Sequence, residues 1–173
     1  MPKLDIIKLP DPILRQVSKP IAKVDAGVRR LIDDMLETMY AAPGVGLAAV
    51  QVGRPLRLLV IDIGDDDDDD DDPKRPIAMV NPEIVSLGPV LKSHEEGCLS
   101  IPDVRFEIER PSSLVVRYVD RDGKSRELAA DGLLATAIQH EIDHLNGRMI
   151  IDYMSRLKRD IIIRRFKKQA RAD

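Results

Sequence analysis

The sequence contains very few aromatic residues, cysteines and histidines, and each shortage excludes a class of protein. Tryptophan is absent and aromatic residues make up only 3% of the 173 residues, so the core must be mostly aliphatic. A single cysteine excludes an internal disulfide framework and predicts a reducing, cytoplasmic location. No apolar run could span a bilayer, and the first residues form no apolar signal region. We therefore expect neither a membrane nor a DNA partner.

Charge is concentrated in two segments. Residues 65–72 are an unbroken run of eight aspartates, without which the formal net charge of −3 would become +5. Such a run repels itself, so we expect a solvated acidic loop, with weak calcium binding or an acidic interaction tag as alternatives. The length predicts a single domain over residues 1–173, and residues 155–173 are expected to form a basic C-terminal helix. The apolar side of that helix is assigned to Leu157, Ile161 and Phe166.

Hydrophobic periodicity predicts an α+β fold, with antiparallel strands around a central helix and a helix at each end of the chain. Asp25 is a plausible N-cap for an amphipathic N-terminal helix that continues to about Tyr40. Short apolar or alternating segments, bounded by proline and glycine, are typical of strands. The expected strands are residues 56–63, 77–81, 84–92, 104–109, 114–119 and 124–129.

The central helix carries the pattern H-E-x-x-H. Its histidines, His140 and His144, are one helical turn apart and would point to one face, where two imidazoles can bind one divalent cation. Glu141 follows the first histidine, within reach of a water on that cation as a general base. Asp131 is expected to cap this helix and Gly147 to end it. An ordinary helix with two polar histidines is the alternative, because the pattern also arises by chance.

A catalytic cation site needs a third protein ligand beside an open position for water, and Cys98 is the best candidate. A thiolate suits soft and borderline divalent ions, and the cation would keep it deprotonated. No glutamate follows Glu141 and no histidine follows His144, which excludes the third ligands of thermolysin-type and metzincin-type sites. The remaining histidine, His94, is expected at the surface.

A glycine-rich segment, GVGLAAVQ at residues 44–51, lacks both the spacing and the lysine of a phosphate-binding loop. Its glycines permit close backbone approach, and Gln51 adds one side-chain amide. This combination suits gripping a peptide backbone by hydrogen bonds. A glycine turn with a surface glutamine explains the segment, taken alone, equally well.

Three segments, in this order, resemble the signature motifs of the peptide deformylases of the bacterial type I form. They are GVGLAAVQ at residues 44–51, EGCLS at 96–100 and QHEIDHL at 139–145. The resemblance covers nearly the whole chain, and residues 65–72 depart from it where that family has a variable charged loop. It implies a hydrolase of protein biosynthesis that removes the formyl group from the N-terminal formyl-methionine of new polypeptides and releases formate.

The resemblance also implies a role for each site residue. Cys98, His140 and His144 would bind one divalent ion, usually Fe²⁺, with Zn²⁺, Ni²⁺ or Co²⁺ as substitutes and water in the fourth place. That water would attack the formyl carbonyl while Glu141 takes its proton and passes it to the leaving amine. The oxyanion would be held by the metal, the Gln51 amide and the backbone N–H of Leu99. The bound peptide would contact Val45, Gly46, Gly97, Arg105, Leu133, Thr136 and Ala137.

Several alternatives stay open at this point. The rival functions are a zinc endopeptidase of the H-E-x-x-H class and a non-catalytic, ribosome-associated metal-binding module. Asp143 could orient a ligand histidine or pair with an arginine, and Arg105 could be a plain surface residue of a strand. The basic C-terminal helix could dock on ribosomal RNA, as the family's C-terminal helix does in bacteria, or could be a solvated face.

Overall fold

The structure, a computed structural model, describes residues 3–64 and 74–172. The aspartate run at residues 65–72 lies outside the described residues, so its loop stays a prediction. Within the described ranges the chain forms three α-helices and seven β-strands. The helices are α1 Ala26–Ala41, α2 Gly132–Leu145 and α3 Arg156–Ala172. The strands are β1 Gly46–Ala48, β2 Leu58–Ile61, β3 Ile77–Leu87, β4 Leu91–Cys98, β5 Ile101–Pro111, β6 Ser113–Val119 and β7 Ser125–Asp131.

Two antiparallel sheets frame the central helix, so the predicted α+β fold is confirmed. One sheet has five strands in the order β1-β2-β3-β6-β7, and the other consists of β4 and β5. Strand β2 is buried along its whole length because both of its faces are covered. Leu59 and Ile61 pack in one core with α2, whereas Leu58 and Val60 pack in a second core with α1. The continuous apolar run in the sequence reflects this double burial.

Helix ends follow the predicted signals closely. The side chain of Asp25 accepts a hydrogen bond from the Val28 N–H at 2.9 Å, which confirms it as the N-cap of α1. Asp131 is the N-cap residue of α2, but its side chain makes no capping hydrogen bond. Gly147 follows the end of α2 with a φ of 76°, a conformation that favours glycine. No described helix has both the length and the apolar character needed to cross a membrane.

The predicted strands at residues 77–81 and 84–92 have wrong boundaries. Strand β3 runs from Ile77 to Leu87 without a break, because its register shifts between Val80 and Glu83 and the bulge removes the need for a donor at Pro82. Strand β3 ends at Leu87, and a separate strand, β4, runs from Leu91 to Cys98. Strand β4 shows no apolar alternation because it is largely exposed and is defined by its pairing with β5.

The predicted apolar side of α3 is only partly correct. Phe166 is buried, but Leu157 and Ile161 remain 72% and 56% exposed. Ile162 and Ile163 pack beside Phe166 instead, in a third core built around β5 and the N-terminal segment. These three residues share one helical face, from which residues 157 and 161 are rotated away.

Candidate active site

The end of β4 and the inner face of α2 bring together three side chains that could bind one metal ion. The sulfur of Cys98 and one nitrogen each of His140 and His144 all lie within 4.8 Å of one another. The Cys98 Sγ is 3.3 Å from the His144 Nε2. Strand register shifts between Gly97 and Cys98, and a bulge of this kind redirects the following side chain. Residues more than forty positions apart in sequence thus meet at one point.

Glu96 orients His140 from behind. Its Oε1 lies 3.0 Å from the His140 Nδ1, which leaves Nε2 free to face the thiol. Both oxygens of Glu96 are gripped by Arg110, at 2.6 and 3.0 Å. Burial alone would raise the pKa of Glu96, but its hydrogen bonds with His140 and Arg110 lower it, so the carboxylate stays charged.

Asp143 pairs with an arginine rather than with a ligand histidine. Its Oδ2 accepts a hydrogen bond from Arg110 at 3.0 Å and another from the Tyr153 hydroxyl at 2.6 Å.

The pKa values of the two histidines shift in opposite directions. For His140, burial would lower the pKa, but hydrogen bonds to Cys98 and Glu96 raise it above its ordinary value. For His144, burial and the charge of His140 lower the pKa, which favours the neutral form that binds cations.

Glu141 is 3% exposed and lies directly beside the ligand set. Its Oε1 is 3.7 Å from the His140 Nε2, and its Oε2 is buried without a hydrogen-bond partner among the described residues. Burial raises the pKa of Glu141 from 4.5 to about 7. A Cβ at Gly46 would lie 3.1 Å from this carboxylate, so glycine leaves the space that Glu141 occupies. The result is a carboxyl that can both accept and donate a proton near neutral pH.

Gln51 is buried, so the interpretation of a surface glutamine is wrong. The Ala48 N–H donates to its Oε1 at 2.9 Å, which directs the amide nitrogen towards the ligand set. That nitrogen, Nε2, lies 3.0 Å from the Ser100 Oγ and 3.7 Å from the Cys98 Sγ. Leu99, between those two residues, has its side chain packed on Gly44, where a Cβ would come 2.8 Å from Leu99 Cδ1.

An open cleft of about 1190 Å³ leads to this cluster. All of the site residues expected from the sequence line the cleft except His144, which is fully buried beneath it. His94, expected at the surface, is half-buried and also lines the cleft. The lining residues among those expected are Val45, Gly46, Gln51, Gly97, Cys98, Leu99, Arg105, Leu133, Thr136, Ala137, His140 and Glu141.

One wall of the cleft comes from the N-terminal segment, which sequence reasoning missed. Residues 3–6 line the cleft, and the next residues fasten the segment to the site. The Ile7 N–H donates to the Gln51 carbonyl at 2.7 Å, and the Leu9 N–H donates to the Ser100 carbonyl at 2.9 Å. No sequence signal marks these backbone contacts, because any residue except proline could make them.

The roles of Glu96 and Arg110 were also missed, although one signal was available. Val104, Phe106 and Ile108 alternate inward along β5, and continuing that period of two places Arg110 on the inner face. A charged residue at an inward position needs a buried partner. Glu96 supplies it from the neighbouring strand.

The donor set fits a single divalent transition metal. One thiol and two imidazoles suit iron, zinc, nickel and cobalt, whereas magnesium and calcium prefer oxygen ligands. All three donors are largely withdrawn from solvent, and Glu96 provides the outer carboxylate that ligand histidines usually have.

Comparison with known proteins agrees with this geometry. A sequence model of the polypeptide deformylase family matches residues 3–160. The chain belongs to that family. It is therefore an enzyme, a metal-dependent hydrolase that removes the N-formyl group from nascent peptides. Neither the endopeptidase nor the non-catalytic module is favoured by this family membership.

Individual deformylases resemble the chain over nearly its whole length. The peptide deformylase of Agrobacterium fabrum is 59% identical over 167 residues, which cover 96% of each chain. That of Bartonella tribocorum is 56% identical over 171 residues, 99% of this chain and 95% of the relative. The crystal structure of peptide deformylase from Ehrlichia chaffeensis is 41% identical, with a TM-score of 0.92 over 99% of both chains.

Proposed function

We propose that two adjoining groups of residues carry out the deformylation. One group binds the metal ion, and the other transfers the proton and stabilises the oxyanion. The observation that carries this proposal is the convergence of three ligand atoms within 4.8 Å beside a buried carboxyl. The metal-binding group is Cys98, His140 and His144, and the catalytic group is Glu141, Gln51 and the backbone N–H of Leu99.

The donor atoms specify a class of divalent transition metals rather than one particular ion. A bound divalent cation would act as a Lewis acid and would make water a nucleophile at neutral pH. We propose Fe²⁺ as the native ion, with Zn²⁺, Ni²⁺ or Co²⁺ able to occupy the same sulfur and nitrogen donors.

Glu141 handles the proton in this mechanism. Burial raises the pKa of Glu141 to about 7 in the metal-free protein, and the charge of a bound cation would lower it, so the carboxyl is ionised near neutral pH and can accept a proton from water. The same group, once protonated, returns that proton to the amine as the carbon–nitrogen bond of the formamide breaks. A group whose pKa lies near the working pH performs both transfers efficiently.

Negative charge on the formyl oxygen is stabilised by Gln51 and Leu99. The Ala48 N–H and the Ser100 hydroxyl fix the amide orientation of Gln51, and one of its side-chain N–H groups stays directed towards Cys98, where charge would develop. Leu99 follows the proposed ligand Cys98 directly and lines the cleft, so we assign its backbone N–H as the second donor. Loss of one such donor typically lowers the rate by about 10²–10³, which is the effect expected for Gln51→Ala.

The cleft supplies an apolar pocket and extended backbone for the peptide. Val45 and Leu133 are about half exposed at the rim, while Thr136 and Ala137 form a buried floor. Such a pocket suits a methionine side chain but discriminates weakly against side chains of similar size. Gly46 on β1 and Gly97 on β4 present backbone for strand-like pairing. Arg105, exposed beside Gly97, contacts the peptide further downstream.

The remaining proposals concern the whole chain. Residues 1–173 act as one catalytic domain in the cytoplasm, on the N-formyl-methionyl ends of nascent peptides.

Helix α3 binds the ribosome by attraction to RNA phosphates, because its exposed residues are mostly basic. Charge reversal at Lys167 and Lys168 should then abolish co-sedimentation with ribosomes at low salt and leave hydrolysis of short peptides unchanged. Unchanged co-sedimentation would contradict this role of α3.

The test of the catalytic assignment measures formate release from formyl-Met-Ala-Ser by anaerobically prepared, Fe²⁺-loaded or Ni²⁺-loaded protein. Wild-type protein should release formate rapidly, and Glu141→Ala should keep its metal but lose turnover. Glu127→Ala, at an exposed position on β7, is the matched control and should behave as wild type. Turnover that survives Glu141→Ala would exclude Glu141 as the base. Casein cleavage without formate release would instead support the endopeptidase.

A further inference from the structure

Behind His140, four polar side chains from four different elements form one connected network. They come from β4, β5, α2 and the 3-10 helix Ile150–Tyr153. Three of them are largely buried, and the fourth, Tyr153, is 39% exposed. The members are Glu96, Arg110, Asp143 and Tyr153.

Arg110 is the only cation in this network, and two carboxylates share it. Its Nε and one terminal nitrogen hold Glu96 at 2.6 and 3.0 Å, and its other terminal nitrogen donates to Asp143 at 3.0 Å. The two carboxylates therefore pull the guanidinium in different directions. A displacement of Arg110 towards Asp143 would weaken its grip on Glu96, the residue that orients His140.

The hydroxyl of Tyr153 reduces the competition of Glu96 and Asp143 for Arg110. Its hydroxyl donates to the same oxygen of Asp143 at 2.6 Å and also accepts a hydrogen bond from Arg110 at 3.2 Å. A hydrogen bond to a carboxylate stabilises its charge and reduces its demand on other donors. The guanidinium carbon of Arg110 lies 4.7 Å from the centre of the Tyr153 ring, so the ring also supports the arginine from one side.

We propose that Tyr153 is a positioning residue for His140. By stabilising the charge of Asp143, its hydroxyl keeps Arg110 on Glu96, and Glu96 holds the His140 ring in the orientation that binds the cation. The inference rests on the proposed ligand role of His140. Among the described residues, Tyr153 belongs neither to the ligand set nor to the lining of the cleft, and its hydrogen bonds go to Asp143 and Arg110, so its effect on His140 is expected to pass through the network.

The decisive variant is Tyr153→Phe, which keeps the ring over Arg110 and removes only the hydroxyl. The measurement is the rate at which Ni²⁺-loaded protein loses its ion to excess chelator, together with the visible absorption of the Co²⁺-loaded form. Removal of an outer partner of a metal-binding histidine commonly weakens metal affinity by about 10-fold to 100-fold. Since Tyr153 acts through two further residues, we expect ion loss to be about threefold to tenfold faster. The Co²⁺ absorption should change as well.

A second variant separates positioning from general stabilisation. Asp143→Asn in the Tyr153→Phe background removes the competing charge, so Arg110 should return fully to Glu96. The rate of ion loss should then fall to within about twofold of wild type. If the hydroxyl served only to stabilise the fold, the second substitution would add to the loss instead. Tyr118→Phe, in β6 and outside the network, is the matched control and should leave the rate unchanged.

The possible outcomes separate a failure of the proposed role of Tyr153 from a failure of the proposed ligand role of His140. Unchanged ion loss in Tyr153→Phe would overturn the inference alone. Accelerated loss that Asp143→Asn fails to reverse would also overturn it, and would assign Tyr153 to the stability of the fold. Wild-type protein that binds no Ni²⁺ would overturn the ligand assignment itself, and the inference with it.

Discussion

Replacing Glu141 with glutamine should make the metal-free protein more stable, although it removes the residue proposed to carry the proton. Glutamine resembles the protonated carboxyl in size and polarity but cannot ionise. In the folded protein, burial raises the pKa of Glu141 from 4.5 to about 7. The fold therefore disfavours the ionised carboxylate, and the substitution removes that cost.

The sign and size of the effect follow from the two pKa values. The unfolded chain ionises Glu141 above about pH 4.5, whereas the folded protein does so only above about pH 7. The destabilisation is thus absent well below pH 4.5, grows between the two values and is complete above pH 7. A pKa difference of about 2.5 corresponds to roughly 3 kcal/mol in the free energy of unfolding.

Urea denaturation of chelator-treated protein tests this expectation at two pH values. Glu141→Gln should raise the free energy of unfolding by roughly 3 kcal/mol at pH 8.5 and by less than about 1 kcal/mol at pH 5. Glu127→Gln, at an exposed position, should change it by no more than about 0.5 kcal/mol at either pH. A gain of equal size at both pH values, or a loss at pH 8.5, would refute the reasoning, because it would mean that the folded protein accommodates the charged carboxylate.

Four further substitutions probe other parts of the site. Arg110→Met should lower the free energy of unfolding of the metal-loaded protein by about 3–5 kcal/mol in urea titrations, because two buried carboxylates lose their common partner. Adding Glu96→Gln should recover part of that loss, and strict additivity would argue against the shared pairing. Gly46→Ala should lower kcat/KM on the order of 10²-fold, since the new Cβ displaces Glu141, and an effect confined to KM would contradict this. Cys98→Ser should lower the nickel retained after gel filtration, as measured by elemental analysis, and unchanged metal content would remove Cys98 from the ligand set.

The proposed metal-binding residues could be predicted from the sequence because their chemistry leaves a local pattern. Two histidines four positions apart share a helical face wherever the helix forms. The requirement for a third soft ligand then left Cys98 as the best candidate in a chain with a single cysteine. The resemblance to a known family added the residues proposed to contact the peptide, which have no local pattern of their own.

What could not be predicted depends on tertiary contacts. Strand β4 has little apolar surface and exists because β5 pairs with it. The partner of Asp143 required knowledge of where Arg110 and Tyr153 lie, and these residues are 33 and 10 positions away in sequence. Leu157 and Ile161 were wrongly predicted to lie on the buried side of α3 with Phe166. They have helical spacing to each other but not to Phe166, and both are exposed. For β4 and Asp143 the deciding partners belong to other elements of the fold, whereas the buried face of α3 is marked locally, by the helical spacing of Ile162 and Ile163 to Phe166.

The N-terminal segment has a practical consequence for work on this enzyme. Its backbone is tied to Gln51 and Ser100, and residues 3–6 line the cleft that we propose binds the peptide. An affinity tag or fusion partner attached there would start beside the cleft. It could fold back into the cleft and compete with the peptide substrate for binding. A small fluorophore on Lys3 would, by the same placement, report the arrival of a peptide directly.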